Sequence, residues 1–303
     1  MSAQMMISNA QIEGIVVPAF NIPHLPMLKP VVEALRDEDA AALIQVARLE
    51  WEKMQAKSLE AVAEEYSKYG DPRHTGLHLD HIPVVDEDHE WVDYMEIIER
   101  GLRAGYESVM IDGSRLALEE NIRTTQEAAD CAHEHGAACE AELGAVIGHE
   151  KGGIEITYEE LFSTKKGFTR LDEAERFAEE SHCDWLSVAV GNIHGAIAET
   201  TRAQKKQQAH LDIKHVKALY EAAKGLPLVL HGGSGVKRED LLKAVQAGIV
   251  KINIGTEIRQ AYEFALQEKR DKEYARQAVY EKVRWILRDY LRISGTASLI
   301  VDL

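Results

Sequence analysis

The chain has 303 residues, a net charge of −16, 45% hydrophobic and 28% charged residues. That composition can build a sizeable core, and the acidic balance argues against nucleic acid or an anionic membrane surface as a partner, since both need a basic footprint. Any phosphate site must then be built locally, from backbone amides or a metal ion, against an unfavourable overall field. Three cysteines, Cys131, Cys139 and Cys183, show no CxxC spacing; they suggest no disulfide framework and fit a reducing cytoplasm. The opening MSAQMMISNAQIEG lacks a basic start followed by a long apolar run, so no signal peptide is expected. No stretch approaches the ~18 apolar residues of a membrane span. A cytoplasmic location and no membrane partner are the expectations.

In chain order, short β-branched apolar runs fall at residues 14–20, 41–46, 75–80, 108–112, 138–143, 184–190, 227–231 and 249–254. Amphipathic stretches at 27–36, 59–69, 92–104, 118–133, 172–180, 213–223 and 238–246 fill the gaps, which is the βαβ signature of a parallel sheet. Eight such units predict a (β/α)₈ TIM barrel, with one or two extra charged helices over 256–290. A barrel of this kind takes residues 1–303 as a single domain. Residues 144–170 and 198–210 read as long loops after the fifth and sixth strands. In a barrel, loops after strands lie on the catalytic face.

The informative pattern is the polar residues that end each strand. The third strand ends in His78-Leu79-Asp80-His81, the fourth in Asp112 and the fifth in Glu140-Ala141-Glu142. The sixth runs into Gly191-Asn192-Ile193-His194-Gly195 and the seventh into His231-Gly232-Gly233-Ser234-Gly235. On a barrel these ends share one rim, so His81, His194 and His231 can meet, and three imidazoles plus an open position describe a catalytic zinc site. His78 shares the parity of Asp80, so periodicity does not exclude it as a ligand. The small-residue turns after the last two strands, GGSG and Asn253-Ile254-Gly255-Thr256, stand where barrels bind phosphate. Backbone N–H groups there, with the Ser234 and Thr256 hydroxyls, can cradle a dianion without a lysine.

These segments together resemble the class II, zinc-dependent ketose-bisphosphate aldolases, which include fructose- and tagatose-bisphosphate aldolases. The resemblance runs from AFNI (19–22) through HLDH, SVMIDGS, EENI (119–122), EAELG, VGNIHG and LVLHGGSG to KINIGT, in order over the whole barrel. It implies that His81, His194 and His231 bind one catalytic zinc ion. It places Asp112 and Glu142 at acidic positions that hold the metal in an alternative site in some members, and leaves open a second metal position or a monovalent cation. Asp80 then shuttles the C4 hydroxyl proton, and Glu150 handles the C3 proton of dihydroxyacetone phosphate. Gly195, Gly232, Gly233, Ser234, Asn253, Ile254, Gly255 and Thr256 match the dihydroxyacetone phosphate cradle.

The implied reaction is reversible cleavage of a phosphorylated ketose to dihydroxyacetone phosphate and an aldehyde. The metal stabilises the enediolate charge, so no lysine Schiff base is needed. A small phosphorylated sugar is the expected partner, and a dimer or tetramer of identical chains the expected assembly. Departures from the family fall on the aldehyde half. Ala47 stands where familiar members have a serine, Gly255 where fructose-type enzymes have an aspartate, Arg115 replaces a histidine, and Ile147 replaces a loop glycine. Two competing readings remain: a metal-free phosphate-binding isomerase or lyase, and a non-catalytic barrel kept as a binding protein.

Overall fold

Eight parallel strands close into a barrel in sequence order, the eighth pairing with the first. They are β1 (Val17–Asn21), β2 (Ala42–Ala47), β3 (Thr75–Pro83), β4 (Ser108–Asp112), β5 (Ala138–Leu143), β6 (Trp185–Val188), β7 (Leu228–Leu230) and β8 (Ile249–Ile254). The computed structural model describes residues 1–144, 158–192, 209–233 and 235–301. With helices surrounding the strands, this is the TIM-barrel architecture that the alternating pattern predicts. The fourth, fifth and eighth strands have the expected bounds. The first begins later, because Gly14 ends a preceding helix in the left-handed region (φ 65°), where glycine carries no Cβ penalty. The sixth and seventh strands are shorter than expected, so His231 lies just beyond β7.

Helix α1 (Ala3–Glu13) precedes the barrel, capped by Ser2, whose side chain accepts from the Met5 N–H. The sequence reading missed it. Its Met6 and Ile7 pack with Val17, Ala19, Leu43, Trp185 and Val229 into an apolar plug separate from the larger core. That larger core lies between the strands and the outer helices. The outer helices are α2 (Leu28–Asp37), α3 (Arg48–Lys53), α4 (Leu59–Tyr69), α5 (Tyr94–Ala104), α6 (Leu118–Glu134), α7 (Tyr158–Thr164), α8 (Leu171–Glu180), α9 (Ile213–Ala222) and α10 (Arg238–Gln246). Helix α7 corrects the expectation of a plain loop over 144–170; seven residues are too short a run for periodicity to reveal.

The C-terminal extension is more elaborate than one or two helices. Among the described residues it holds α11 (Thr256–Lys269), α12 (Lys272–Trp285), a π turn (Ile286–Leu291) and α13 (Ala297–Val301). Helix α12 packs on α2, and α13 packs on α1 at the closed end of the barrel. From the π turn, the Tyr290 hydroxyl donates to the Val236 carbonyl at 2.8 Å, buttressing the segment after β7.

Candidate metal and substrate site

Strand alternation alone would send neighbours Asp80 and His81 to opposite faces of the barrel wall. The structure evades this with a register shift between Leu79 and Ile82, and with His81 in the left-handed region at φ 42°. Holding a non-glycine residue there costs about 1–3 kcal/mol, and such strain concentrates at functional positions. Both side chains thereby serve the barrel mouth. His81 Nε2 stands 2.8 Å from His231 Nδ1, and His81 Nδ1 stands 3.2 Å from Asp112 Oδ2 and 3.7 Å from Glu142 Oε2. Two sets of donor atoms lie close enough to share one ion: Asp80, His81 and His231, and His81, Asp112 and Glu142. Of the expected sites, His194, Gly195, Glu150 and Ser234 lie outside the described residues.

Beneath the mouth runs a buried polar layer. His231 Nε2 donates to Glu140 Oε1 at 2.8 Å, and Glu140 Oε2 faces Lys251 Nζ at 2.8 Å. Lys251 also donates to Asn253 Oδ1 at 2.8 Å, and Asn253 Nδ2 donates to Asp80 Oδ1 at 3.0 Å. Asn21 Nδ2 donates to the other oxygen, Asp80 Oδ2, at 2.9 Å. Asp80 is thus gripped by an amide on each oxygen, which fixes its aim. His78 belongs to this lower layer: it is fully buried and pairs through Nδ1 with the Ser108 hydroxyl at 2.8 Å. Its parity with Asp80 is correct, but it sits below the mouth with the Glu140–Lys251 pair.

The electrostatics ask for a cation. Burial works against every charge here, yet Asp80, Asp112 and Glu142 together lift the His81 imidazole to about 10. Burial and then the His81 charge lower His231. His81 as an imidazolium donates to Asp112 and to His231 Nδ1, while neutral His231 donates to Glu140. Burial pushes Glu142 far above the carboxylate range, reinforced by Asp112, and its Oε2 is buried without a hydrogen-bond partner. A proton held between two imidazole nitrogens, beside an unpartnered buried carboxyl oxygen, is a donor set that suits a divalent ion. His81, His231, Asp112 and Glu142 fit that role by chemistry and position.

The phosphate-type turns also converge. The Gly233 N–H bonds to the Asn253 carbonyl at 3.1 Å, tying the turn after β7 to the end of β8. Gly232 has φ 67°, and a Cβ at Gly233 would meet Ile252 Cγ1 at 2.4 Å, so only glycine fits there. Gly255 precedes α11, whose first turn begins at Thr256.

The sequence profile of the class II fructose-bisphosphate aldolases matches residues 1–297. The chain belongs to that family. Among solved structures, the YdjI aldolase of Escherichia coli K12 is 28% identical, with a TM-score of 0.75 over 97% of this chain and 98% of that one. A fructose-bisphosphate aldolase of Campylobacter jejuni is 19% identical, with a TM-score of 0.73 over 95% of this chain and 93% of that one, and attests the fold alone.

Within this class II aldolase the sequence reading passed over several residues that build the site. Glu140 is noted in the sequence only as a polar strand end and Lys251 is given no role; both are fully buried and charged, which is rare without a partner, and a charged residue inside an apolar strand is the signal that points to them. Asn121 of EENI donates to the Glu142 carbonyl at 3.0 Å, and Asn192 of GNIHG donates to the His231 carbonyl at 3.0 Å. These two asparagines fasten the backbone beside two expected metal ligands.

Proposed function

We propose that this class II aldolase reversibly cleaves a phosphorylated ketose to dihydroxyacetone phosphate and an aldehyde, with one divalent ion, zinc, in its site. The observation that carries the reading is the meeting of His81, His231, Asp112 and Glu142 beside an Asp80 carboxylate held by two amides. His81, His231 and His194 would hold the ion, with Asp112 and Glu142 offering the alternative position. The bound ion supplies positive charge against the negative charge that develops on the departing three-carbon fragment. Burial opposes ionisation of Asp80, but the neighbouring basic groups, His81 foremost with His231, Lys251 and His78, together outweigh it, so Asp80 is a carboxylate able to accept a proton. As the C3–C4 bond breaks, Asp80 takes the C4 hydroxyl proton and the aldehyde carbonyl forms. The bond's electron pair stays on C3, which Glu150 then protonates.

Gly195, Gly232, Gly233, Ser234 and Asn253, Ile254, Gly255 and Thr256 would receive the phosphate, with backbone N–H groups at the start of α11 supporting the dianion. Family membership supports a small phosphorylated sugar as substrate. The same reading makes residues 1–303 one catalytic domain of a cytoplasmic dimer or tetramer. Gly255 and Ala47 present neither carboxylate nor hydroxyl, so fructose 1,6-bisphosphate is expected to be a poor substrate. A tagatose-type ketose, or one with another anionic distal group, should be cleaved better.

The test is a retro-aldol assay over a panel of ketose 1-phosphates and bisphosphates, detecting dihydroxyacetone phosphate before chelation, after it, and after zinc is restored. Activity should vanish and return, and His81→Ala and His231→Ala should each lose bound metal. Activity that survives exhaustive chelation would point instead to the metal-free reading. A preference for fructose 1,6-bisphosphate of about tenfold, about 1.4 kcal/mol in the transition state, would refute the substrate assignment.

A further inference from the structure

The mouth of the barrel holds a carboxyl that the proposed cleavage leaves without a task. Glu50 lies in the first turn of α3 and is 8% exposed. Its Oε2 accepts from the Ala47 N–H at 2.9 Å and from Asn21 Nδ2 at 3.3 Å. Asn21 Nδ2 is the same nitrogen that donates to Asp80 at 2.9 Å, and Gln45 Nε2 pins the Asn21 oxygen at 2.9 Å. One braced amide therefore stands between the proposed base and Glu50. Both bonds end on Oε2, and among the described residues Oε1 has no hydrogen-bond partner. A Cβ on Gly255 would lie 3.2 Å from Asn21 Oδ1, so that position faces the amide with hydrogen alone. Burial, with the Asp80 charge adding to it, lifts the Glu50 carboxyl to about 8. With Oε2 occupied by two donors, Oε1 is the oxygen left to pair with an incoming hydroxyl.

We propose that Glu50 is a specificity-determining residue whose Oε1 hydrogen-bonds a hydroxyl on the carbon next to the aldehyde carbon, selecting 2-hydroxyaldehydes over their deoxy counterparts. The inference rests on the aldolase reading above. It has a plain physical basis: a buried polar group that pairs with a substrate hydroxyl is left unpaired by the analogue lacking it, so discrimination is strong.

Glu50 also caps α3, so the test must separate selectivity from folding. Aldol addition of dihydroxyacetone phosphate to lactaldehyde and to propionaldehyde, which differ by one hydroxyl, is measured with the zinc-loaded full chain. The wild type should prefer lactaldehyde by at least about tenfold in kcat/KM. Glu50→Ala should bring that ratio to within about twofold of unity. Glu50→Asp, which keeps a carboxylate in the first turn but withdraws it by one methylene, should lower the ratio by at least about threefold. A cap-only role would slow both aldehydes together. A wild type without preference, or an unchanged ratio in a folded variant, overturns the proposal. Solvent exchange of the C3 proton of dihydroxyacetone phosphate by the wild type is measured alongside. Exchange without hydroxyl preference refutes the role of Glu50 alone, whereas absence of exchange overturns the aldolase reading and this inference with it.

Discussion

Lys251 is the residue on which the buried polar layer turns. Fully buried, it faces Glu140 Oε2 at 2.8 Å and thereby serves His231, which donates to the other Glu140 oxygen. Burial opposes the Glu140 charge, but Lys251, with the His231 hydrogen bond and His78 behind it, outweighs it, so the carboxyl sits below its usual range. A depressed carboxyl contributes stability above its unfolded pKa and loses it as pH falls through the folded one. Lys251→Met leaves Glu140 buried without its cation, so its carboxyl rises and its charged form costs stability at neutral pH. The expected loss is about 3–5 kcal/mol at pH 7, shrinking at pH 5, where protonating Glu140 relieves it. Urea unfolding of both proteins in chelator at the two pH values checks this. An equal loss at both would show that the charge of Glu140 is not what Lys251 serves.

At the scale of elements, the site is assembled by departures from regular strands. β3 breaks register so that consecutive Asp80 and His81 both reach the mouth, and β7 stops at Leu230 so that His231 and the glycines can turn inward. The turn after β7 is packed to contact against β8. Gly233→Ala would place a methyl 2.4 Å from Ile252 Cγ1, and either the turn or the strand must move. Overpacking of this kind costs about 1–3 kcal/mol. Because the displaced N–H groups belong to the proposed phosphate cradle, KM for a ketose phosphate should rise as well. A lowered melting temperature with unaltered KM would separate the turn from substrate binding.

For the whole molecule, a barrel that carries Lys251, Glu140 and His78 in its interior has to be sealed from below, or water would compete for each of those bonds. Helix α1 provides the seal with Met6 and Ile7, and α13 holds α1 in place, Asn9 Nδ2 donating to the Ile300 carbonyl at 2.7 Å. Met6→Ala should therefore destabilise the chain by about 2–5 kcal/mol, the range for emptying a buried methionine site. Denaturant unfolding measures it. A cost below about 1 kcal/mol would mean that α1 merely rests on the barrel.

The division between what could be read and what could not follows from range. Alternating runs and amphipathic stretches are local, so the eight strands, most outer helices and the rim that collects Asp80, His81, Asp112, Glu142 and His231 were legible from order alone. Helix α1 was not, because Met5 and Ile12 put apolar side chains on its exposed face as well, so the stripe of Ala3, Met6, Ile7 and Ala10 stands out only once it packs on the strands. The bulge at His81 also escaped, since period-two parity assumes a regular strand. The Glu140–Lys251 pair joins strands five and eight, and Glu50 is linked to Asp80 through Asn21, so neither arrangement exists until the barrel closes. Chain order alone reveals which residue types ring the mouth. Tertiary structure decided which of them meet, because burial and cross-strand hydrogen bonds act only between groups that folding has brought together.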